Sequence, residues 1–151
     1  MTTHMIRRAR PEEATALSVL AETSKRHWGY DDAFIAATIE EIAVTEEQIR
    51  RNDCFIAEID ETVIGFYLLA QTSLERLFIS PEFFGQGVGR ALMAHLQTQA
   101  RERGLTRIEI ISDPNAADFY RRTGAIEAGL SNSQFVSGRQ LPVFVLEISA
   151  G

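Results

Sequence analysis

The sequence predicts an α/β (α+β) fold, a mixed central sheet of about seven strands with helices on both faces. Three observations carry that expectation. Apolar or alternating runs of strand length recur, as in CFIAEI, VIGFYLLAQ, LERLFIS and RIEIIS. Segments with apolar residues at helical spacing precede the first of these runs and separate the later ones. Their order reads β-α-α-β-β-β-α-β-α-β-β, a meander of strands followed by crossovers.

Taken in order, His4 to Ala9 alternates and suits a first strand. Pro11 then fits a helix opening, with Glu12 and Glu13 favourable in the first turn. Ala14, Leu17, Leu20 and Ala21 share a face, so this helix is expected to run to about Ser24. The mixed segment KRHWGYDDAF follows, with a break at Gly29. Phe34, Ile35, Thr38, Ile39 and Ile42 mark a second helix, and TEEQIRRN a short third one capped by Thr45. CFIAEI and VIGFYLLAQ form a hairpin about Asp60 and Glu61, in which Gly65 marks a bulge. SLERLFIS is the next strand and stops at Pro81. A helix then carries Val88, Leu92, Leu96 and Ala100 on one face, with Ala91 beside them, and ends at Gly104. RIEIIS is a strand. Asp113-Pro114 opens a short helix with Ala116, Phe119 and Tyr120 on one face, closed by Gly124. AIEAGLSNSQFVS and QLPVFVLEIS complete the sheet.

The 151 residues suit a single domain, 1–151, with a core that needs no staples. A formal net charge of -6 argues against a general nucleic-acid binder. No stretch has the length of a membrane span, and MTTHMIRRARPEE lacks the apolar centre of a secretion signal. Cys54 is the one cysteine, which fits a reducing, cytoplasmic setting and an inert buried thiol. His4, His27, His95 and Cys54 show no metal-ligand spacing, so no metal is expected.

The segment FISPEFFGQGVGRAL places Gly85, Gly87 and Gly89 between a strand and a helix. A helix start exposes backbone N–H groups without partners, and glycines let an anion reach them. Gly85, Gln86, Gly87, Val88, Gly89 and Arg90 therefore read as a diphosphate cradle; the alternative is a tight turn with no ligand. The GxxxxGK[ST] pattern is missing and GxGxG is not the dinucleotide fingerprint.

LERLFISPEFFGQGVGRALMAHL resembles the acetyl-CoA-binding signature R/Q-x-x-G-x-G/A of the GCN5-related N-acetyltransferase (GNAT) family. SDPNAADFYRRTGA resembles the family's second signature. The two occur in the family's order, and the element order matches over almost the whole chain. The chain departs at Phe84, where the family has Arg or Gln, so diphosphate binding there would rest on the backbone. The asparagine of the second signature is also displaced: Asp113 stands at its spacing, with an N-cap role before Pro114, and Asn115 and Phe119 are the candidate cofactor contacts of this segment.

The resemblance implies acetyl-CoA as cofactor and acetyl transfer to an amine of a small molecule or peptide, by direct attack in a ternary complex. It also implies a splayed, bulged strand in LERLFI. There Leu77, Phe78 and Ile79 would pair with the pantetheine amides, and the Ile79 N–H would polarise the thioester carbonyl. Tyr120 matches the position of the general acid; a phenol stays protonated at neutral pH. Its alternative is core packing, which fits Phe119 better. Glu75 is the candidate base, placed by strand alternation on one face with Leu77; a surface glutamate paired with Arg76 or Arg107 is the alternative. His27 is a second base candidate or a half-exposed loop histidine. For the acceptor, His27, Trp28, Tyr30 and Phe34 offer aromatic walls and Arg139 a carboxylate partner; Trp28 and Phe34 also suit a core. Neither a nucleic acid nor a membrane is expected as partner, and a homodimer is the assembly the resemblance implies. A non-catalytic acyl-CoA sensor and another class of nucleotide-binding fold are the rival readings.

Overall fold

The computed structural model describes residues 4–150. Its strands are β1 (Met5–Arg8), β2 (Asp53–Ile59), β3 (Thr62–Ala70), β4 (Ser73–Ile79), β5 (Arg107–Ile111), β6 (Ile126–Asn132) and β7 (Gln140–Glu147). Its helices are α1 (Ala14–His27), α2 (Asp32–Ile42), α3 (Glu46–Arg51), α4 (Val88–Glu102) and α5 (Ala117–Arg122). Short 3-10 turns at Pro11–Glu13, Pro81–Phe83 and Pro114–Ala116 lead towards α1, α4 and α5. The seven strands form one mixed sheet in the order β1-β2-β3-β4-β5-β7-β6. Among the described residues only β4 and β5 pair in parallel.

The sheet separates two apolar layers. On one face Leu17, Ala21, Ile42 and Ile49 from α1, α2 and α3 pack on Ile56, Phe66 and Leu68. On the other, Val88, Leu92, Met93, Leu96 and Ala100 of α4 join Tyr120 of α5 over Tyr67, Ile108 and Phe144. The expected stripe of α4 is therefore present, with Met93 rather than Ala91 at its edge. Strands buried on both faces explain why VIGFYLLA reads as a continuous apolar run.

Local chemistry sets the boundaries. Asp60 and Glu61 both adopt left-handed φ, 48° and 67°, which gives a two-residue turn matched to the strand twist. The β2–β3 register shifts beside Gly65, as expected of a bulge there. Thr45 caps α3 in a reciprocal box with Gln48, at 3.1 and 2.9 Å. Two boundaries differ from expectation: β6 stops at Asn132 instead of running on through Ser137, where the Ser133 hydroxyl accepts from the Phe135 and Val136 amides and turns the chain, and α1 continues past Ser24 to His27. Lys25 reads in the sequence as a loop residue, yet its ammonium lies 3.0 Å from the Asp113 carboxylate. That partner allows the side chain to be buried, so the inward face of α1 gains another turn. No helix of the described residues is long and apolar enough to cross a membrane.

Candidate active site

The two central strands part. β4 pairs with β5 only at Ser73↔Glu109 and Leu74↔Ile110. Beyond Leu74, β4 stays on β3 while β5 ends at Ile111, which opens a gap in the sheet. The Ser80 amide donates to the Ile64 carbonyl at 2.8 Å. Antiparallel pairs alternate between bonded and unbonded, so Phe78 and Phe66 form the next bonded pair. Leu77 and Ile79 then turn their N–H and C=O groups away from β3, towards the gap. The Leu77 and Ile79 side chains pack on the α4 side, whereas Phe78 lies on the opposite face against Phe66, ring centroids 6.0 Å apart.

The gap continues into the glycine segment. Gly85 and Gly87 hold φ of 76° and 83°, and beyond its two chain neighbours a Cβ at either would meet nothing within 4 Å among the described residues. Gly87 caps α4 without a side-chain bond, and the first helical hydrogen bond runs from the Ala91 amide to the Gly87 carbonyl at 3.0 Å. The amides of Val88, Gly89 and Arg90 therefore precede the helix ladder and face an open cleft at the positive end of a 15-residue helix. Gly89 has another reason to be glycine: a Cβ there would lie 3.0 Å from the Phe119 ring. Its small size lets α4 and α5 approach. Gln86 turns its amide back to the Glu82 carbonyl at 3.2 Å.

Tyr120 is buried in the α4-side core between Phe119 and Phe144, at centroid distances of 5.2 and 6.0 Å. It also lines the cleft. Burial, then the nearby Asp113 charge, raises the phenol pKa. The hydroxyl therefore remains protonated across the neutral range.

Glu75 differs from expectation. The β3–β4 register shifts so that Leu68 faces Arg76 and Leu69 faces Leu74, which leaves Glu75 as the extra residue of a bulge. Strict alternation would put Leu74 and Leu77 on opposite faces, yet both pack on the α4 side. The face shared by Glu75 and Leu77 is thus interrupted by the bulge, and Glu75 sits exposed on the cleft wall. Beside it Arg76 donates to the Ala43 carbonyl at 3.1 and 3.2 Å and to the Glu75 carbonyl at 2.9 Å, which fastens the bulge to the end of α2. Burial lowers the Arg76 pKa, with the charges of Glu75 and Glu41 acting the other way. Glu41 also lines the cleft, and its Oε2 is shielded from solvent without a hydrogen-bond partner among the described residues.

The expected acceptor residues fall into two groups. Tyr30 and Phe34 stack at 4.0 Å, and the Arg139 guanidinium covers Phe34 at 4.8 Å. The Tyr30 hydroxyl donates to Asp113, 3.1 Å from either oxygen, and accepts from Arg139 Nη2 at 3.1 Å and Asn115 Nδ2 at 3.0 Å. Arg139 also reaches Asp113 Oδ2 at 3.1 Å. Burial pushes the Asp113 pKa up, but Lys25, the Asn115 amide and Arg139 together hold it below its ordinary value. Asp113 caps the turn before α5, as expected, by accepting from the Asn115 amide at 2.8 Å. Asn115 lines the cleft while its side chain is bonded to Tyr30 and Asp113.

The second group is aromatic. Trp28 stacks on Phe84 at 5.8 Å with 24° between planes, and His27 meets Phe84 edge-on at 5.0 Å. The exposed end of α1 thus rests on the loop that precedes the glycines. Phe84, Lys25, Asp113 and Glu41 are the members of the site that sequence reasoning passed over or gave another role. Lys25 offered one signal, as the only lysine of the chain.

The acetyltransferase (GNAT) domain model matches residues 10–138. A Salmonella typhimurium protein named peptidyl-lysine N-acetyltransferase YjaB is 31% identical over 129 residues, 83% of this chain and 86% of that one. A GCN5-related N-acetyltransferase structure from Rhodopseudomonas palustris superposes with a TM-score of 0.82 at 19% identity, over 97% of both chains. The PaiA N-acetyltransferase of Thermoplasma acidophilum, solved in complex with coenzyme A, gives a TM-score of 0.74 at 19% identity over 96% of this chain and 99% of that one. With its parted β4 and β5, its glycine-opened helix and a matching model across 10–138, the chain belongs to the GNAT acetyltransferase family.

Proposed function

We propose that the protein is an acetyl-CoA-dependent N-acetyltransferase that acetylates a primary amine of a small molecule or peptide by direct attack in a ternary complex. The observation that carries this reading is the continuity of the cleft. The inward-facing amides of Leu77 and Ile79, the unpaired amides at the start of α4 and the Tyr120 side chain all border it. The residues present fit the cofactor: Gly85 and Gly87 leave open space in front of amide donors, as a diphosphate requires. Acetyl-CoA, when bound, supplies an activated thioester.

The chain's own groups supply the rest. The amides of 85–90 hold the diphosphate. Leu77 and Ile79 would orient the amide arm, and the Ile79 N–H would be the donor for the oxygen that gains charge. Glu75 takes the amine proton at its carboxylate, directly or through water. Tyr120 holds a proton at Oη for the departing thiolate. Cys54 belongs to the opposite core layer, and burial pushes its thiol up to about 12, so a direct attack needs no acetyl-enzyme there. The lysine amine of a peptide is one acceptor supported by the name of the 31%-identical relative.

The test is CoA release from acetyl-CoA over an amine panel. Turnover is expected with at least one amine, and Tyr120→Phe is expected to lower kcat by about 10²-fold with CoA affinity retained. Tight CoA binding without turnover of any amine would leave an acyl-CoA sensor instead.

A further inference from the structure

Two cations converge on one carboxylate at the acceptor side of the cleft. Lys25 Nζ lies 3.0 Å and Arg139 Nη2 3.1 Å from Asp113 Oδ2. The Lys25 side chain is 5% exposed and that of Arg139 12%. Two positive charges against one negative leave one positive charge in excess, largely withdrawn from water. Among the described residues neither Asp31, which caps α2 by accepting from the Phe34 amide at 2.8 Å, nor Asp32, which pairs with Arg26, forms an ion pair with Lys25 or Arg139. Arg139 Nη1 is shielded from solvent with no hydrogen-bond partner among the described residues. Lys25 has three N–H donors and one carboxylate partner, and its remaining neighbours include the faces of Tyr30 and Phe34 at 5.7 and 6.0 Å. Buried charge in excess, with donors to spare, is satisfied by an anion.

Lys25 lines the cleft, and Arg139 shares the Asp113 carboxylate with it. Glu40, Glu41 and Glu75 line the same cleft, so its wall carries both signs. We propose that Lys25, backed by Arg139, is a carboxylate subsite, and that the acceptor carries a carboxylate besides its amine. This deepens the acetyl-transfer reading and rests on it. The carboxylate comes either from a free amino acid or from an acidic residue beside a peptidyl lysine; both present the same group to Lys25. The diphosphate of the cofactor has its own donors at 85–90. Tyr30 and Phe34 are then the support of the subsite, since they stack beneath the guanidinium.

Lys25 is the sole lysine, so protein labelled with ζ-15N-lysine gives a single ammonium signal. The labelled, CoA-loaded protein is titrated with 6-acetamidohexanoate and with its amide, which resemble products and are not turned over. A saturable shift is expected with the carboxylate, at least tenfold weaker with the amide. In parallel, transfer is measured to 6-aminohexanoate against its amide, and to lysine peptides flanked by Glu against Gln. The carboxylate member of at least one pair is expected to be favoured by about 10- to 100-fold, through KM. The pair that responds identifies the source. Lys25→Met is expected to abolish the preference and Lys25→Arg to retain it. Turnover with no carboxylate preference and an unmoved Lys25 signal would overturn the subsite and leave acetyl transfer standing. A moved signal without turnover of any amine would support the subsite and remove the acetyl-transfer reading.

Discussion

Gly85, Gly87 and Gly89 stand at alternate positions for different reasons. Gly87 needs φ of 83°, where a side chain is strained, while its front is open. Gly87→Ala is expected to lose about 1–2 kcal/mol in urea unfolding through that strain. Gly89→Ala instead drives a methyl to 3.0 Å from Phe119. The expected loss is about 1–3 kcal/mol, with weaker CoA binding because the start of α4 must shift. Phe119→Leu, which vacates ring volume, should recover part of that loss when combined with it; an additive double mutant would contradict the contact. The glycine pattern was legible in the sequence as an open backbone, but a steric partner 30 residues away was not. Lys25 was hidden for a related reason. A charged residue reads as solvent-facing until its counter-ion is known, and Asp113 lies 88 positions along the chain.

At the level of elements, propensity and capping rules located most boundaries. Thr45→Ala removes half of the reciprocal cap of α3, and thermal or urea unfolding should register a loss of about 1 kcal/mol. The β4 bulge could not be read from LERLFI, because nothing in that string says where a partner strand skips a residue. It decides where the Glu75 carboxylate sits. Glu75→Gln is expected to lower kcat/KM by about 10²-fold and to remove the acid limb of its pH profile. If Glu41→Gln has that effect and Glu75→Gln does not, the base belongs to α2. The parting of β4 from β5 was implied by family resemblance alone; the residues add only Pro81, which lacks an N–H to continue a ladder.

For the molecule as a whole, His95 and two carboxylates, Glu13 held by Arg7 and Asp113, make stability fall in acid. The Tyr67 hydroxyl and His95 Nδ1 share a hydrogen bond of 2.7 Å beside the α4-side core layer. Burial lowers the His95 pKa, Arg8 acts with burial and Glu102 against it. The unfolded chain therefore binds the proton more readily, so this stability is present above about pH 6.5 and is lost as pH falls towards the folded value. Asp113, facing Lys25, Arg139, Tyr30 and Tyr120, also has a lowered pKa. Its contribution is present above about pH 4 and is lost as pH falls through the folded value. Unfolding free energy against pH should thus decline in two stages, and His95→Gln should remove the upper one alone.

Trp28 is the only tryptophan, and its indole rests on Phe84 at the entrance to the glycine loop. A single optical reporter thus stands beside the loop proposed to hold the cofactor. Ultraviolet emission of the unlabelled protein should change when that loop fills, giving a stopped-flow record of ligand entry. An acceptor added first or second would leave distinguishable traces, so the order of arrival becomes readable without dye or mutation.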